Sequence, residues 1–145
     1  MKPIAENRRA QFDYEILEKY EVGIALSGQE VKSAKNGRFN LAGSYAIPKN
    51  GELWLLNSDI PAYQPKNAPA DYDPRRSRKL LLHKNEIKTL VGRLRQKSLS
   101  LVPLNAYLKN GFIKLELGLG KSRKKSDKRE LLKKRTAERE MRRFE

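Results

Sequence analysis

Two pairs of alternating apolar segments, each closed by an Asn-Gly step, constrain this chain most. Residues 43–47 (GSYAI) and 52–56 (ELWLL) flank Pro48-Lys-Asn-Gly51, and residues 100–107 and 112–119 flank Lys109-Asn-Gly111. Asn-Gly suits a two-residue turn whose central positions both need positive φ, and the twist of that turn matches antiparallel strands. Alternation with period two turns one face of each strand toward a core. Each pair is therefore an antiparallel hairpin, and a chain built around two of them favours antiparallel over parallel β structure.

The remaining segments fill in this frame. In residues 14–26 alternation is clearest at Tyr20, Val22, Ile24 and Leu26, so the latter half reads as a strand. Ser27-Gly-Gln-Glu30 has the form of a capping box and Asn36-Gly37 supplies a left-handed stop, which predicts a short helix over about 28–35. Pro61, Pro65, Pro69 and Pro74 exclude a long helix or a central strand from 61–76, leaving a surface loop. Ile87, Leu90, Val91 and Leu94 form one apolar stripe, which predicts a helix over 83–97. Five or six short strands with one capping helix and one corner helix point to a mainly β fold. The expected architecture is a small antiparallel OB-fold-like β-barrel with two or three short helices and a basic C-terminal tail. The barrel is expected to occupy residues 1–120 and the tail 121–145. Asp127 and Glu130 could cap a tail helix, but Leu131, Arg135, Glu138 and Met141 or Arg142 make a poor stripe for core packing. The tail is expected to be disordered alone and helical on a partner.

Charge and composition then narrow the function. The tail carries twelve Lys or Arg against five Asp or Glu, +7 of the formal net charge of +15, so both parts are basic and a polyanion is the simplest common partner. There is no cysteine, which removes thiolate chemistry, disulfides and sulfur-bound zinc. His83 is the single histidine and reads first as a helix-start residue. Glu30 reads as half of the capping box, while Glu15, Glu18 and Glu21 resolve no catalytic pair. Gly118 and Gly120 before Lys121 lack the spacing of a phosphate loop and are expected to mark a bend at a strand's end. No catalytic, metal or cofactor site is expected. No apolar run is long enough to span a membrane and none follows the basic N-terminus, so the expected location is cytoplasmic. Leu131, Leu132, Ala137, Met141 and Phe144 are too few for a membrane-lying face, which favours RNA or DNA. The basic arrays Arg75-Arg-Ser-Arg-Lys79, Lys121-Ser-Arg-Lys-Lys125 and 128–143 fit that partner. Tyr63, Tyr72, Tyr107, Phe39 and Trp54 are candidate stacking platforms, although most read as core or rim.

A set of ordered motifs carries a more specific likeness. Asn7-Arg-Arg-Ala10, Asp13-Tyr-Glu-Ile-Leu17, Gly23-Ile-Ala-Leu-Ser-Gly-Gln-Glu-Val-Lys-Ser33, Asn40-Leu-Ala-Gly-Ser-Tyr-Ala46 and Gly51-Glu-Leu-Trp54 resemble consecutive blocks of the SmpB family of SsrA-binding proteins. Asp73-Pro-Arg-Arg-Ser-Arg-Lys-Leu-Leu-Leu-His-Lys84, Leu101-Val-Pro-Leu104, Tyr107-Leu-Lys-Asn-Gly111 and Asp127-Lys-Arg129 continue the likeness in the same order. Ser33-Ala-Lys35, Ser122-Arg123 and Gly118-Leu-Gly120 depart from the family pattern.

The resemblance implies a noncatalytic OB-fold adaptor of trans-translation, acting as a monomer without cofactor. Its RNA partner would be transfer-messenger RNA (tmRNA), whose tRNA-like domain it completes in place of an anticodon arm. Elongation factor Tu would deliver the complex, with alanyl-tmRNA, to the A site of a stalled ribosome, so that the nascent chain is tagged for degradation and the ribosome released. The tail would enter the empty mRNA channel beside small-subunit rRNA at the decoding centre. The implied tmRNA-binding residues are Asn7, Arg8, Glu30, Lys32, Ser33, Arg78, Lys79, Leu81, His83 and Lys84. The implied ribosome-binding tail residues are Lys121, Lys124, Lys125, Asp127, Lys128 and Arg129. Two other readings compete: a structural ribosomal protein or assembly factor without preference for tmRNA, and a metal-dependent nuclease, for which the sequence offers no carboxylate cluster.

Overall fold

The computed structural model describes residues 3–96 and 99–143. Both Asn-Gly hairpins form as the turn chemistry requires. Strands β3 (Tyr45–Lys49) and β4 (Glu52–Leu56) pair in register around Asn50 (φ 54°) and Gly51 (φ 76°). Strands β6 (Leu99–Lys109) and β7 (Phe112–Ser122) do the same around Asn110 (φ 51°) and Gly111 (φ 81°). With β1 (Pro3–Glu6), β2 (Tyr14–Ile24) and β5 (Arg78–Leu81), seven antiparallel strands run in the order β1-β6-β3-β4-β5-β2-β7. The β6–β7 pairing closes six of them into a ring, and β1 extends the far edge of β6. Closure removes most of the free strand edges an open sheet would leave.

Leu53, Leu55, Leu80, Leu101, Leu115, Leu117 and Leu119 fill the barrel at the inward positions of four strands. Leu90 of helix α3 (Lys84–Leu94) plugs it, fully buried, with Ile87 and Leu94 packed beside it. The proline-rich segment contributes only a 3-10 turn, Pro65–Asn67, in agreement with the expected loop.

A second, smaller core lies outside the barrel. Helix α1 (Arg8–Asp13) lays Ala10 on Val102 and Leu104, with Tyr14 and Ile16 packed against them. Two bulges, at Ile16/Glu18 in β2 and Pro103/Asn105 in β6, break the pairing here. Gly118 and Gly120 sit beneath: a Cβ on Gly118 would lie 3.1 Å from both Ile16 and Leu104, and one on Gly120 3.0 Å from Tyr14. These glycines therefore admit neighbouring side chains inside β7 and do not mark the expected bend. The strand continues through Lys121 and Ser122, two residues past Gly120. Helix α4 (Lys125–Arg143) follows, with no buried residue among those described.

Candidate nucleic-acid interface

The most heavily bonded side chains of the molecule surround helix α2 (Gly28–Lys35). The capping box is present: the Ser27 hydroxyl accepts from Glu30 N–H at 3.2 Å, and Glu30 Oε1 accepts from Ser27 N–H at 2.9 Å. Gly37 (φ 79°) ends the helix in the left-handed conformation. Glu30 is also buried, 1% exposed, and two arginines share its carboxylate. Arg78 lies on the inward face of β5, with no exposed surface, and donates to Glu30 Oε2 from Nε at 2.9 Å and Nη2 at 2.7 Å. Its remaining donors reach the Ser58 carbonyl and hydroxyl and the carbonyls of Arg76 and Pro74. Arg76 donates to Glu30 Oε2 from Nε at 3.0 Å and to Oε1 from Nη2, but its side chain is 39% exposed.

One carboxylate thus faces two guanidinium groups. The Glu30–Arg78 pair is neutral and buried, and the surplus positive charge resides on Arg76 at the surface. Burial pushes the Glu30 carboxyl up, but the bonds from Arg76, Ser27 N–H and Arg78 outweigh it and hold the group down at about 2. The Tyr72 hydroxyl donates to the Ile60 carbonyl at 2.5 Å; burial and then the Glu30 charge raise its pKa.

Direct contact with a partner is excluded in this conformation for several residues that the sequence proposed for it. Arg78 and Glu30 are enclosed because every one of their polar atoms is already used inside the protein. Ser33 is buried, its hydroxyl donating to the Pro61 carbonyl at 2.7 Å and fastening α2 to the proline-rich loop. Asn7 is 3% exposed and caps α1, accepting from Ala10 N–H at 3.2 Å and donating to the carbonyls of Leu41 and Pro103 at 3.1 and 2.8 Å. All four position other groups. Arg76, which sequence reasoning passed over in favour of Arg78, carries the accessible charge. Alternation along β5 distinguishes the positions: Arg78 and Leu80 point in, Lys79 and Leu81 out.

The outward residues of β5 share a face with their partners on β4 and β2. Lys79 lies opposite Trp54 and pairs with Glu52 at 3.1 Å. Leu81 is 50% exposed and lies across Gly23, where a Cβ would approach it to 3.1 Å. His83 is exposed and starts α3, its N–H donating to Glu86 at 3.2 Å. Lys84 follows, and Lys114 of β7, not foreseen, stands across Gly23 from Leu81. Lys32 lies 5.9 Å from the Tyr63 ring centroid, a cation–π contact. Arg8 is exposed at the start of α1, beside the second core, and pairs with Glu6 of β1 at 3.5 Å.

Tail residues are placed by β7 and α4. Lys121 is an exposed strand residue opposite Glu15 and Leu99. α4 begins two residues before Asp127, whose carboxylate accepts from Lys124 N–H at 3.3 Å, so Asp127 caps from inside the first turn. Lys128 pairs with Asp13 at 3.0 Å, and Lys128 and Arg135 both lie 5.7 Å from the Phe12 ring centroid. These contacts and half-buried Leu131 hold α4 against α1, while Lys124, Lys125 and Arg129 face solvent. Phe144, counted among the tail's apolar residues, and Lys97, at the expected end of α3, lie outside the described residues. Among the described residues no group of three or more acidic or histidine side chains is placed to hold a metal ion, and no helix is long and apolar enough to cross a membrane.

A closed antiparallel barrel with a cationic outer face and a basic helical extension defines a small OB-type protein built for a polyanionic partner. The family model described as "SmpB protein" matches residues 4–145. The SsrA-binding protein of Carboxydothermus hydrogenoformans is 55% identical over 140 residues, covering 97% of this chain and 93% of that one. That of Gloeothece citriformis (strain PCC 7424) is 51% identical over 142 residues, covering 98% and 92%. A chain from the solved structure described as "tmRNA-SmpB: a journey to the center of the bacterial ribosome" superposes with a TM-score of 0.68 at 52% identity, covering 83% of this chain and 84% of that chain. The chain belongs to the SmpB family.

Proposed function

We propose that this protein is the noncatalytic RNA-binding adaptor of trans-translation, binding tmRNA through the barrel and engaging the stalled ribosome with its tail. The observation that carries the reading is the buried Glu30–Arg78 pair that holds Arg76 at the surface. A guanidinium fixed in this way needs little further ordering when it meets a phosphate or an unpaired base, and arginine suits both contacts. Lys32, Lys79, Leu81, His83 and Lys84 extend the same face, Leu81 offering an apolar surface for a sugar or base edge. Glu30, Ser33 and Arg78 serve it by positioning.

α4 suits the second task. It carries nine Lys or Arg against four Asp or Glu and buries nothing, so its stability rests on local bonds and the weak contacts to Phe12 and Asp13. A helix of this kind is marginal by itself in water. In this reading the tail is largely unfolded in the free protein and gains its helix against small-subunit rRNA phosphates in the mRNA channel near the decoding centre. Lys121, Lys124, Lys125, Lys128 and Arg129 supply the contacts and Asp127 the cap. Elongation factor Tu, carrying alanyl-tmRNA, is the delivery partner, and the site of action is the cytoplasm.

The test is a titration of the full chain with the tRNA-like domain of tmRNA at physiological salt, with elongator tRNA as competitor. Strong preference for the tmRNA fragment is expected. Equal affinity for both RNAs would show that charge alone is acting and favour a constitutive rRNA-binding protein.

A further inference from the structure

Gly92 occupies the last turn of α3 and has no internal reason to be glycine. Glycine is the least favourable helix residue after proline, and a Cβ built at Gly92 meets no atom within 4 Å. The residue opens instead onto a groove whose other wall is the β3–β4 turn at Asn50 and Gly51. At about 100° per residue, Lys84, Lys88, Val91, Gly92 and Arg95 fall within an arc of roughly 100° on this side of the helix. Among the described residues Lys84, Lys88 and Arg95 enter no ion pair, whereas the groove's one carboxylate, Glu52, is already paired with Lys79. The groove therefore presents three uncompensated cations over a floor of Val91 and bare helix backbone. It joins the surface described above through Lys79, Glu52 and Lys84.

We propose that this groove is a second contact for the tRNA-like domain of tmRNA, in which one RNA strand follows Lys84, Lys88 and Arg95 and lays a sugar edge on the helix backbone at Gly92. The inference rests on the proposed tmRNA-binding function and extends it beyond the face around Arg76. An apolar peptide would use Val91 and Ile87 but leave three cations unmatched. A sugar–phosphate strand uses both the charge and the missing side chain.

Three full-length variants test it against the tRNA-like domain: Gly92→Gln, the double variant Lys88→Glu/Arg95→Glu, and Arg76→Ala. Gly92→Gln is expected to keep or raise the melting temperature while weakening RNA binding several-fold, because the helix gains propensity as the groove loses space. The charge-reversed double variant should lose at least tenfold in affinity and flatten the dependence of log Kd on log salt by about 1.5, the value for two lost phosphate contacts. If Gly92→Gln unfolds, the double variant decides. Wild-type affinity in the groove variants, with Arg76→Ala still impaired, would overturn the groove and leave the proposed function standing. Normal tmRNA binding with lost ribosome recruitment would also overturn it, assigning the strand to rRNA. Absence of any tmRNA preference in the unsubstituted protein would remove the reading beneath it.

Discussion

Glu30→Ala removes the carboxylate that Arg78 and Arg76 share. Arg78 then stays fully buried as a cation, with Nε and one Nη2 bond unmatched, and Ser27 N–H loses its cap partner. Breaking a buried ion pair from one side costs about 3–5 kcal/mol. The four carbonyl and hydroxyl contacts that Arg78 keeps at Ser58, Arg76 and Pro74 argue for the lower half of that range, to which the lost cap adds about 1 kcal/mol. A loss of about 4 kcal/mol is a large part of the 5–15 kcal/mol that holds a domain together. Glu30→Met/Arg78→Met removes both charges and should recover at least half of it, because a neutral apolar pair carries no desolvation cost. It should not recover RNA affinity, since Arg76 has lost the group that fixes it. Urea unfolding and titration with the tRNA-like domain, on wild type and both variants, separate the two effects. Wild-type affinity in the refolded double variant would refute the positioning role of Glu30, and a cost below about 1 kcal/mol for Glu30→Ala would refute the interdependence of the pair.

Further outcomes follow from the same geometry. The Glu30 pKa is depressed from 4.5 to about 2, so the stability it contributes is present above about 4.5 and lost as pH falls through 2. On the order of 3 kcal/mol should disappear across that window, and a Glu30→Gln variant should show a correspondingly flatter acid-unfolding profile. Gly118→Val should cost about 1–3 kcal/mol in denaturant unfolding, because even its Cβ meets Ile16 and Leu104 at 3.1 Å inside a packed cluster; unchanged stability would mean that β2 and β6 yield easily there. Asn7→Ala removes the α1 cap and the donor to two carbonyls, and about 2 kcal/mol of lost stability is expected, with RNA affinity unchanged once the protein is folded.

Local chemistry made much of this structure readable from sequence. The Asn-Gly turns, the Ser27–Glu30 box with its Gly37 stop and the apolar stripe of α3 each use interactions between residues close in sequence, and each is found where it was expected. β5 was missed because Arg78 occupies an inward position and hides the alternation; only the distant Glu30 makes such a burial tolerable. β1 and α1 were missed because four and six residues are too short for periodicity, and α1 depends on the Asn7 bonds to Leu41 and Pro103. The role of Gly118 and Gly120 was misread for a related reason, since the side chains they admit come from β2 and β6. At the candidate site, residue types were legible but their exposure was not. The array Arg75-Arg-Ser-Arg-Lys79 does not say which arginine is enclosed until β5 is paired between β4 and β2.

Division of labour between barrel and tail is tested most directly by ending the chain after Lys124, which keeps β7 whole and the Arg123 N–H bond to the Asp13 carbonyl. The full and shortened chains would be compared for affinity to the tRNA-like domain and for tagging of nascent chains on stalled ribosomes. Affinity within about threefold of the full chain, together with abolished tagging, is expected. Loss of tmRNA affinity in parallel with tagging would contradict a barrel that reads the RNA and a tail reserved for the ribosome.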